Sequence, residues 1–183
     1  SLLSAIYGGS VAGPSAVRYV NGLERSADSL PDSLYDNHVF EQTEKWNHIL
    51  SMNGTENAYS LHKAPGEWMT DNVTVVRYND KLQETDNKIQ ELLERWENIN
   101  IHDTAKWSNQ GASFTRQLFN MLQLARVITL GALKRDESRG AHYKPDFPDR
   151  NDEDFMKTTM ADFVDSKSAP NIYYEDIDVS LIK

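Results

Sequence analysis

A long stretch with apolar side chains around most of its circumference is the feature that most constrains the fold. From Ser113 to Lys134, apolar residues recur at the three- and four-residue spacing of one helical face. These residues are Phe114, Leu118, Met121, Leu122, Ala125, Ile128 and Ala132, and the surface is widened by Phe119, Leu124, Val127 and Leu130. A helix of this kind needs neighbours on several sides, so the sequence predicts that it lies at the centre of the fold.

Two further helices are predicted upstream of the central one. The first starts near Asp32 and ends at the turn Asn53-Gly54, with Val39, Trp46, Ile49 and Leu50 on its inward face. The second carries Leu82, Ile89, Leu92, Leu93 and Trp96 on one side. Between them, residues 60–76 are expected to be helical with a break at Pro65. The predicted fold class is therefore mainly α, an antiparallel helical bundle with a three-helix core like that of a spectrin repeat.

The end of the chain follows a different pattern. Residues 155–163 and 171–179 are short segments rich in Thr, Tyr, Ile and Val, and Pro170 lies in the connection between them. Such segments are typical of paired strands, so the sequence predicts a short β-hairpin-like tail.

The start of the chain predicts a helix that packs on a larger structure. Leu2, Leu3 and Ile6 supply apolar contacts, and Gly9 and Gly13 belong to a face of small residues that would allow close approach of a backbone. Pro14 is expected to end or kink this helix. Because the first residue is serine and not methionine, we expect that the chain was cut from a longer protein.

Composition excludes several classes of function. The net charge of -9 and the pI near 5.0 argue against binding to nucleic acid or anionic lipid, which require a basic surface. The absence of cysteine excludes disulfides, thiolate metal sites and ligation of an iron–sulfur cluster by this chain. No run approaches the roughly 20 apolar residues that cross a bilayer. The histidines His38, His48, His62 and His102 lack the spacing of metal ligands, so no metal is predicted.

The segment from Arg135 to Asp152 follows the central helix with an ordered alternation of charges, glycine and prolines. It contains Glu137-Ser-Arg-Gly-Ala-His142 and Asp146-Phe-Pro-Asp-Arg-Asn-Asp152, and it closely resembles a signature near the C-terminus of the succinate dehydrogenase and fumarate reductase flavoprotein subunits. The helix that begins at Ser1 is similar to the one that closes the flavin-binding domain of that family. Val75-Val-Arg77 also falls where the family's helical C-terminal domain has it.

The resemblance implies that Ser1 and Leu2 contact FAD at the start of the first helix. A helix N-terminus carries free N–H groups and a partial positive charge, which suit the edge of the flavin that becomes negative on reduction. Such an interaction contributes roughly 0.3–1 kcal/mol when exposed and up to about 2 kcal/mol when partly buried, so this helix cannot hold the cofactor alone. The family's catalytic residues have no counterpart in this sequence, so no catalytic residue is predicted and the isolated chain is expected to be inactive and to bind no FAD.

Arg139 and His142 have two interpretations. In the first they are polar anchors at an interface with the flavin domain or the iron–sulfur subunit, and the resemblance favours this role. In the second, Arg139 is a charge at the C-terminal end of a helix and His142 makes hydrogen bonds within the domain.

The resemblance divides the chain into three parts and implies its role. Residues 1–28 would be the last helix of the FAD-binding domain, residues 29–152 the helical C-terminal domain, and residues 153–183 a β-type extension. The intact subunit, most similar to the bacterial succinate dehydrogenase branch, would oxidise succinate with FAD. It would pass electrons to an iron–sulfur subunit and to quinone, and lie on the cytoplasmic side of the membrane through its partner and anchor subunits. The alternatives are a fumarate reductase, an L-aspartate oxidase and, from another class, a stand-alone acidic helical adaptor.

Overall fold

The computed structural model describes residues 2–178 and 180, and these residues are mainly helical. The elements in chain order are α1 (Leu2–Asn21), a 3-10 turn (Ala27–Ser29), α2 (Asp32–Ser51), α3 (Ala58–Val73), α4 (Asn79–Trp96), α5 (Gln110–Leu133), α6 (Asp152–Phe155), β1 (Lys157–Asp162) and β2 (Asn171–Asp176). The chain divides into two compact units, Ser1–Lys45 and Trp46–Lys183. The three-part division expected from the sequence stays a prediction.

The first unit contains α1, the 3-10 turn and most of α2. None of the residues of α1 is buried, and its apolar side chains, including Leu2, Leu3, Ile6 and Tyr7, are exposed. The helix continues through Pro14 to Asn21, so of the two predicted effects of this proline, an end or a kink, the end is wrong and the kink stays a prediction. Proline removes one backbone donor, and the hydrogen bonds of the turns on either side are enough to carry the helix past it.

In the second unit α3, α4 and α5 form a bundle in which successive helices run in opposite directions. The indole N–H of Trp96, at the end of α4, donates to the carbonyl of Thr115 near the start of α5 at 2.8 Å. Asn72, near the end of α3, donates to Thr85 in the first half of α4 at 3.0 Å. Both contacts join the end of one helix to the beginning of the next, so the predicted antiparallel helical bundle is confirmed. Its three helices are α3, α4 and α5, whereas the sequence had assigned α2 to this core in place of α3; Val39, predicted on the inward face of α2, is 64% exposed.

The buried face of α4 is the predicted one. Leu82, Ile89, Leu92, Leu93 and Trp96 are all buried. On α5, the prediction is correct for Leu118, Leu122, Ala125 and Ala132, which are buried.

The predicted inward face of α5 is wrong at Met121 and Ile128, which are 37% and 51% exposed. Thr115, Arg126 and Thr129 take the inward positions of this helix and are almost completely buried. Arg126 and Thr129 have side-chain partners on α4 and α3, namely Asp86 and the sulfur of Met69, whereas the hydroxyl of Thr115 has no hydrogen-bond partner among the described residues.

Helix α3 runs without the break that was predicted at Pro65. Its N-terminus is capped by Asn57, whose side-chain oxygen accepts from the backbone N–H groups of Tyr59 and Ser60. Pro65 lies in the middle of α3, and this residue is buried. We attribute the unbroken helix to this burial, because packing of the proline ring offsets the loss of one backbone hydrogen bond.

A tight crossing of two loops fixes Gly54. Its N–H donates to the carbonyl of Ile99 at 3.1 Å, and a Cβ atom at this position would lie 2.0 Å from the backbone oxygen of Asn98. We expect Gly54→Ala to lower the free energy of unfolding by about 1–3 kcal/mol, because the two backbone segments must separate. Urea denaturation measures the free energy of unfolding of this variant. Gly66→Ala is the matched control, since the space around Gly66 is open and alanine favours a helix; equal losses in both variants would contradict the prediction.

Strands β1 and β2 pair antiparallel, from Lys157 opposite Asp176 to Asp162 opposite Asn171, which confirms the predicted hairpin-like tail. The hairpin packs on α5. The hydroxyl of Tyr174 donates to the carbonyl of Lys134 at 3.0 Å, just after the end of that helix.

Candidate functional site

The segment that follows α5 folds into a compact turn. The N–H of Arg139 donates to the carbonyl of His142 at 2.7 Å, and the N–H of His142 donates back to Arg139 at 3.0 Å. Gly140, between them, has a φ of +60°, a conformation that glycine adopts at little cost. The turn brings the two predicted interface residues together.

Glu137 is the centre of an ion network in this segment, and its side chain is 0% exposed. One carboxylate oxygen accepts from Nε of Arg135 at 2.7 Å and from Nε of Arg139 at 2.8 Å. The other accepts from Nη2 of Arg139 and from the backbone N–H of Asn151, both at 3.0 Å. Burial raises the pKa of Glu137, but the hydrogen bonds from these groups outweigh it, so the pKa lies below its usual range. The carboxylate is therefore ionised and fully bonded.

Arg135 and Arg139 each connect Glu137 to a further part of the chain. Arg135 donates to the carbonyls of Lys157 and Phe155 and to the hydroxyl of Thr159, which ties the end of α5 to β1. Arg139 pairs with Asp152 at 2.7 Å. Hydrogen bonds from Arg150 and Arg139 lower the pKa of Asp152 to about 2.

His142 lies half-buried between two arginines. Its Nε2 is 2.9 Å from the carbonyl of Arg135, and its Nδ1 is in close contact with Nη1 of Arg77. A guanidinium only donates, so Nδ1 is the acceptor and the proton lies on Nε2. Burial lowers the pKa of His142; the hydrogen bond to the Arg135 carbonyl opposes this shift and the charge of Arg77 adds to it. The residue is thus a neutral imidazole that joins the turn to the end of α3, where Arg77 donates to Val73.

Lys144 is the second buried charge of the segment, with its side chain 1% exposed. Its ammonium donates to Asp136 at 2.9 Å and to the carbonyl of Leu133 at 3.0 Å. Asn79, the first residue of α4, donates to the same oxygen of Asp136. A cation at this position satisfies a free carbonyl at the C-terminal end of α5.

Sequence reasoning singled out Arg139 and His142 but missed Glu137, Asp136 and Lys144. The signal that could have found them is the alternation of charge sign within a short segment that directly follows an apolar helix. The structure gives Arg139 and His142 the contacts of the second interpretation, within the domain. Their role at a subunit interface stays a prediction.

The pKa shift of His142 predicts a pH dependence of stability. The folded pKa lies below the unfolded value near 6.5, so the unfolded chain takes up the proton first as the pH falls. The stabilisation is complete above about pH 6.5 and is lost progressively below it. His142→Gln keeps one donor and one acceptor and is expected to remove this part of the pH dependence. Urea unfolding between about pH 5 and pH 8 tests this, with His102→Gln as control; identical profiles for both variants would count against it.

The predicted cofactor contacts lie at the start of α1. Ser1 is outside the described residues, and Leu2 is the first residue of the helix and is 74% exposed. The first turn of α1 contains no acidic residue. This end fits the electron-rich edge of a flavin, because its N–H groups are accessible and no carboxylate repels the ligand. Contact of Ser1 and Leu2 with FAD stays a prediction.

The described residues contain neither a candidate metal site nor a candidate membrane span. Within residues 2–178 and 180, no group of three or more potential ligands is placed to hold a metal ion. In the same part of the chain, no helix combines the length and the apolar character needed to span a bilayer.

The fold and this segment define the class of protein. Residues 62–183 match the family model described as the C-terminal part of fumarate reductase flavoprotein, and the chain belongs to this family. The resemblance inferred from the Arg135–Asp152 segment is therefore confirmed.

The chain is also similar to individual members of this family. It is 69% identical over 182 residues to the succinate dehydrogenase flavoprotein subunit of Bacillus subtilis, a match that covers 100% of this chain and 31% of that protein. It is 36% identical over 141 residues to a fumarate reductase flavoprotein subunit of Helicobacter pylori, which covers 76% of this chain and 20% of the relative. A solved structure of a mutant FrdA chain of E. coli quinol fumarate reductase has a TM-score of 0.78 at 25% identity, over 85% of this chain and 27% of that one. The chain thus spans less than a third of the length of these proteins.

Proposed function

We propose that this chain is the C-terminal domain of a succinate dehydrogenase flavoprotein subunit. The observation that carries the proposal is the 69% identity to the Bacillus subtilis subunit along the whole chain. Identity to the Helicobacter pylori fumarate reductase subunit is much lower, at 36%, which favours succinate oxidation over fumarate reduction as the physiological direction. FAD in the intact subunit would supply the chemistry, by accepting a hydride from succinate.

Within that subunit the residues of this chain would support the reacting parts and carry out no chemical step. The ion network around Glu137 joins α5 to β1, and His142 joins the same turn to the end of α3. We expect these contacts to hold the end of α3, the end of α5 and β1 together, so that other domains can be positioned against them. Ser1 and Leu2 would add helix N–H groups at the flavin, as inferred from the resemblance.

The partners follow from the same relatives. We infer that the intact subunit assembles with an iron–sulfur subunit and a membrane-anchor subunit, and that it lies on the cytoplasmic side of the membrane through them. The similarity to a chain of E. coli quinol fumarate reductase supports assembly into a multi-subunit complex. No nucleic-acid partner is expected from a chain with a net charge of -9.

A chimera tests the function. The C-terminal third of the Bacillus subtilis subunit is replaced by this chain and produced together with that organism's other subunits. We expect a membrane-bound complex that contains flavin and oxidises succinate, because a 69% identical domain should preserve the contacts to the rest of the subunit. The 183-residue chain produced alone is expected to be colourless. A chimera that folds and binds flavin but does not oxidise succinate would overturn the proposal, and so would stoichiometric FAD on the isolated chain.

The interface role of Arg139 gives a separate prediction. The side chain of Arg139 is 28% exposed, and those of its neighbours Asp152 and Arg150 are 46% and 57% exposed, so a partner could meet a charged rim here. We expect Arg139→Glu in the chimera to reduce the amount of iron–sulfur subunit that co-purifies, because the charge at the rim is reversed. The control is Lys63→Glu, which makes the same change of charge at an exposed position of α3 outside this segment, and it should leave the recovery of the iron–sulfur subunit unchanged.

Loss of folding must be separated from loss of docking, since Arg139 also bonds to the buried Glu137. The melting temperature and flavin content of each variant are therefore measured with the co-purification. Unchanged recovery of the iron–sulfur subunit with Arg139→Glu would refute the docking role.

A further inference from the structure

A cleft opens at the end of the bundle where α3 and α5 begin. Its volume is about 600 Å³, within the range of about 300–1,000 Å³ that small-molecule sites occupy. The walls come from Trp46 in the last part of α2, Tyr59 at the start of α3, residues 106–109, and the first turns of α5 from Gln110 to Gln117. All of these residues belong to the second unit.

Aromatic rings form much of the cleft. Tyr59 and Phe114 are stacked, with ring centroids 4.3 Å apart and planes 7° from parallel. Trp107 faces solvent with 89% of its surface exposed, and among the described residues it makes no stacking contact with another ring. A bare indole beside a stacked pair is a surface that gains contact area when a planar ligand binds, because aromatic rings pack favourably on one another.

The charge of the cleft is the opposite of that of the chain. The sequence contains 28 acidic residues and has a net charge of -9, but none of the residues that line the cleft is acidic. Lys106 is the charged lining residue, and it forms no ion pair within the described part of the chain. An ammonium that is not paired with a carboxylate favours an anionic ligand.

Hydrogen bonds of the buried Asn109 hold the loop that carries Lys106 and Trp107 in place. Asn109, 3% exposed, donates to the carbonyl of Ala105 at 3.1 Å and accepts from the N–H of Ala112 at 2.8 Å. Ser108 has a φ of +54°, a conformation that non-glycine residues rarely adopt without surrounding support. The backbone beneath the two exposed side chains is thus preorganised, which lowers the cost of ordering on binding.

We propose that this cleft binds a planar aromatic anion of small-molecule size, such as an aromatic carboxylate or sulfonate. The ring would lie against Trp107 and the Tyr59–Phe114 pair, and the anionic group would meet Lys106. The side chains of Gln110, Ser113 and Gln117 line the cleft and offer hydrogen bonds to the remaining polar atoms of the ligand.

The four tryptophans of the chain allow a site-resolved test. The 183-residue chain, labelled with ¹⁵N, is titrated with 8-anilinonaphthalene-1-sulfonate, an aromatic anion with a planar naphthalene ring, while the four indole N–H signals are followed by NMR. Trp46 and Trp107 lie in the cleft and are expected to shift with a common saturation curve. Trp68 and Trp96 do not line it and are expected to stay in place, and α1, which is apolar and exposed, contains no tryptophan. Binding without a shift of Trp46 and Trp107, or with equal shifts of all four signals, overturns the proposal.

Substitutions of Lys106 and Trp107 test the contributions of the charge and of the aromatic ring separately. We expect Lys106→Glu and Trp107→Ala each to weaken binding of the dye by about tenfold or more. Lys63→Glu is the control, because it makes the same change of charge at an exposed position of α3 outside the cleft, and its affinity should stay within about twofold. The neutral analogue N-phenyl-1-naphthylamine should bind more weakly than the anion and should be insensitive to Lys106→Glu. Equal affinity for the neutral and anionic dyes, or no effect of Lys106→Glu on the anion, refutes the anionic site. Far-UV circular dichroism confirms that each variant is folded.

Discussion

Replacing Glu137 by glutamine is expected to lower the free energy of unfolding by about 3–5 kcal/mol. The carboxylate is fully buried and accepts hydrogen bonds from Arg135, Arg139 and the backbone N–H of Asn151. The amide has nearly the same shape, but it removes the negative charge and places an N–H₂ group against guanidinium donors. Arg135 then loses its counter-ion and Arg139 keeps only the exposed Asp152, which costs far more than the loss of an exposed pair. Urea denaturation at pH 7 measures the change.

Asp152→Asn is the control for this variant. Asp152 bonds to the same Arg139, but its side chain is 46% exposed, so water can replace the lost contact. We expect only a small change in the urea midpoint. A Glu137→Gln variant as stable as Asp152→Asn would show that the network does not hold the turn, and it would remove the basis for treating this segment as the rigid part of the domain.

Removal of one partner from the buried pair between α4 and α5 should have a comparable effect. Arg126 and Asp86 are 4% and 6% exposed, and they are joined by two hydrogen bonds of 2.9 and 3.2 Å. Arg126→Met leaves the carboxylate of Asp86 buried without a charged partner, and we expect a loss of about 3–5 kcal/mol. Thermal and urea unfolding both report this loss.

A double variant shows whether the loss of stability comes from the unpaired charge of Asp86 or from packing around Arg126. Arg126→Met combined with Asp86→Leu replaces both charges by apolar groups, and a buried pair exchanged in this way often costs little. We therefore expect the double variant to recover most of the stability lost by Arg126→Met alone. If the double variant is as unstable as the single one, the loss comes from packing around Arg126, and the unpaired charge of Asp86 is not its cause.

Sequence reasoning was most accurate for α4, where apolar residues recur at regular helical spacing. Every apolar residue predicted for its inward face is buried, and Thr85 and Asp86 are buried beside them. The hairpin of β1 and β2 was predicted from short β-rich segments, and it was found between residues 157 and 176. The Arg135–Asp152 segment was enough to indicate the family, which the family match confirmed.

Errors arose where the environment of a residue overrides its local preference. Pro65 was expected to break α3, but it is buried and the helix continues past it. Pro14 was expected to end or kink α1, and it does not end this helix although no residue of α1 is buried. Met121 and Ile128 were expected inside the bundle, although α5 turns Thr129 and Arg126 inward. A hydrophobicity pattern treats arginine as exposed, and it cannot register that Asp86, forty residues earlier in the chain, supplies a buried counter-ion.

The sequence by itself determined where the helices and the hairpin form and to which family the chain belongs, because apolar periodicity and a local signature are properties of neighbouring residues. Only the tertiary structure decided which charges are buried. Glu137, Lys144 and Arg126 are stable inside the protein because partners from other elements, or from the far side of a turn, meet them there. The cost of burying a charge depends on the distance to its partner in space, and that distance is fixed only when the helices have packed.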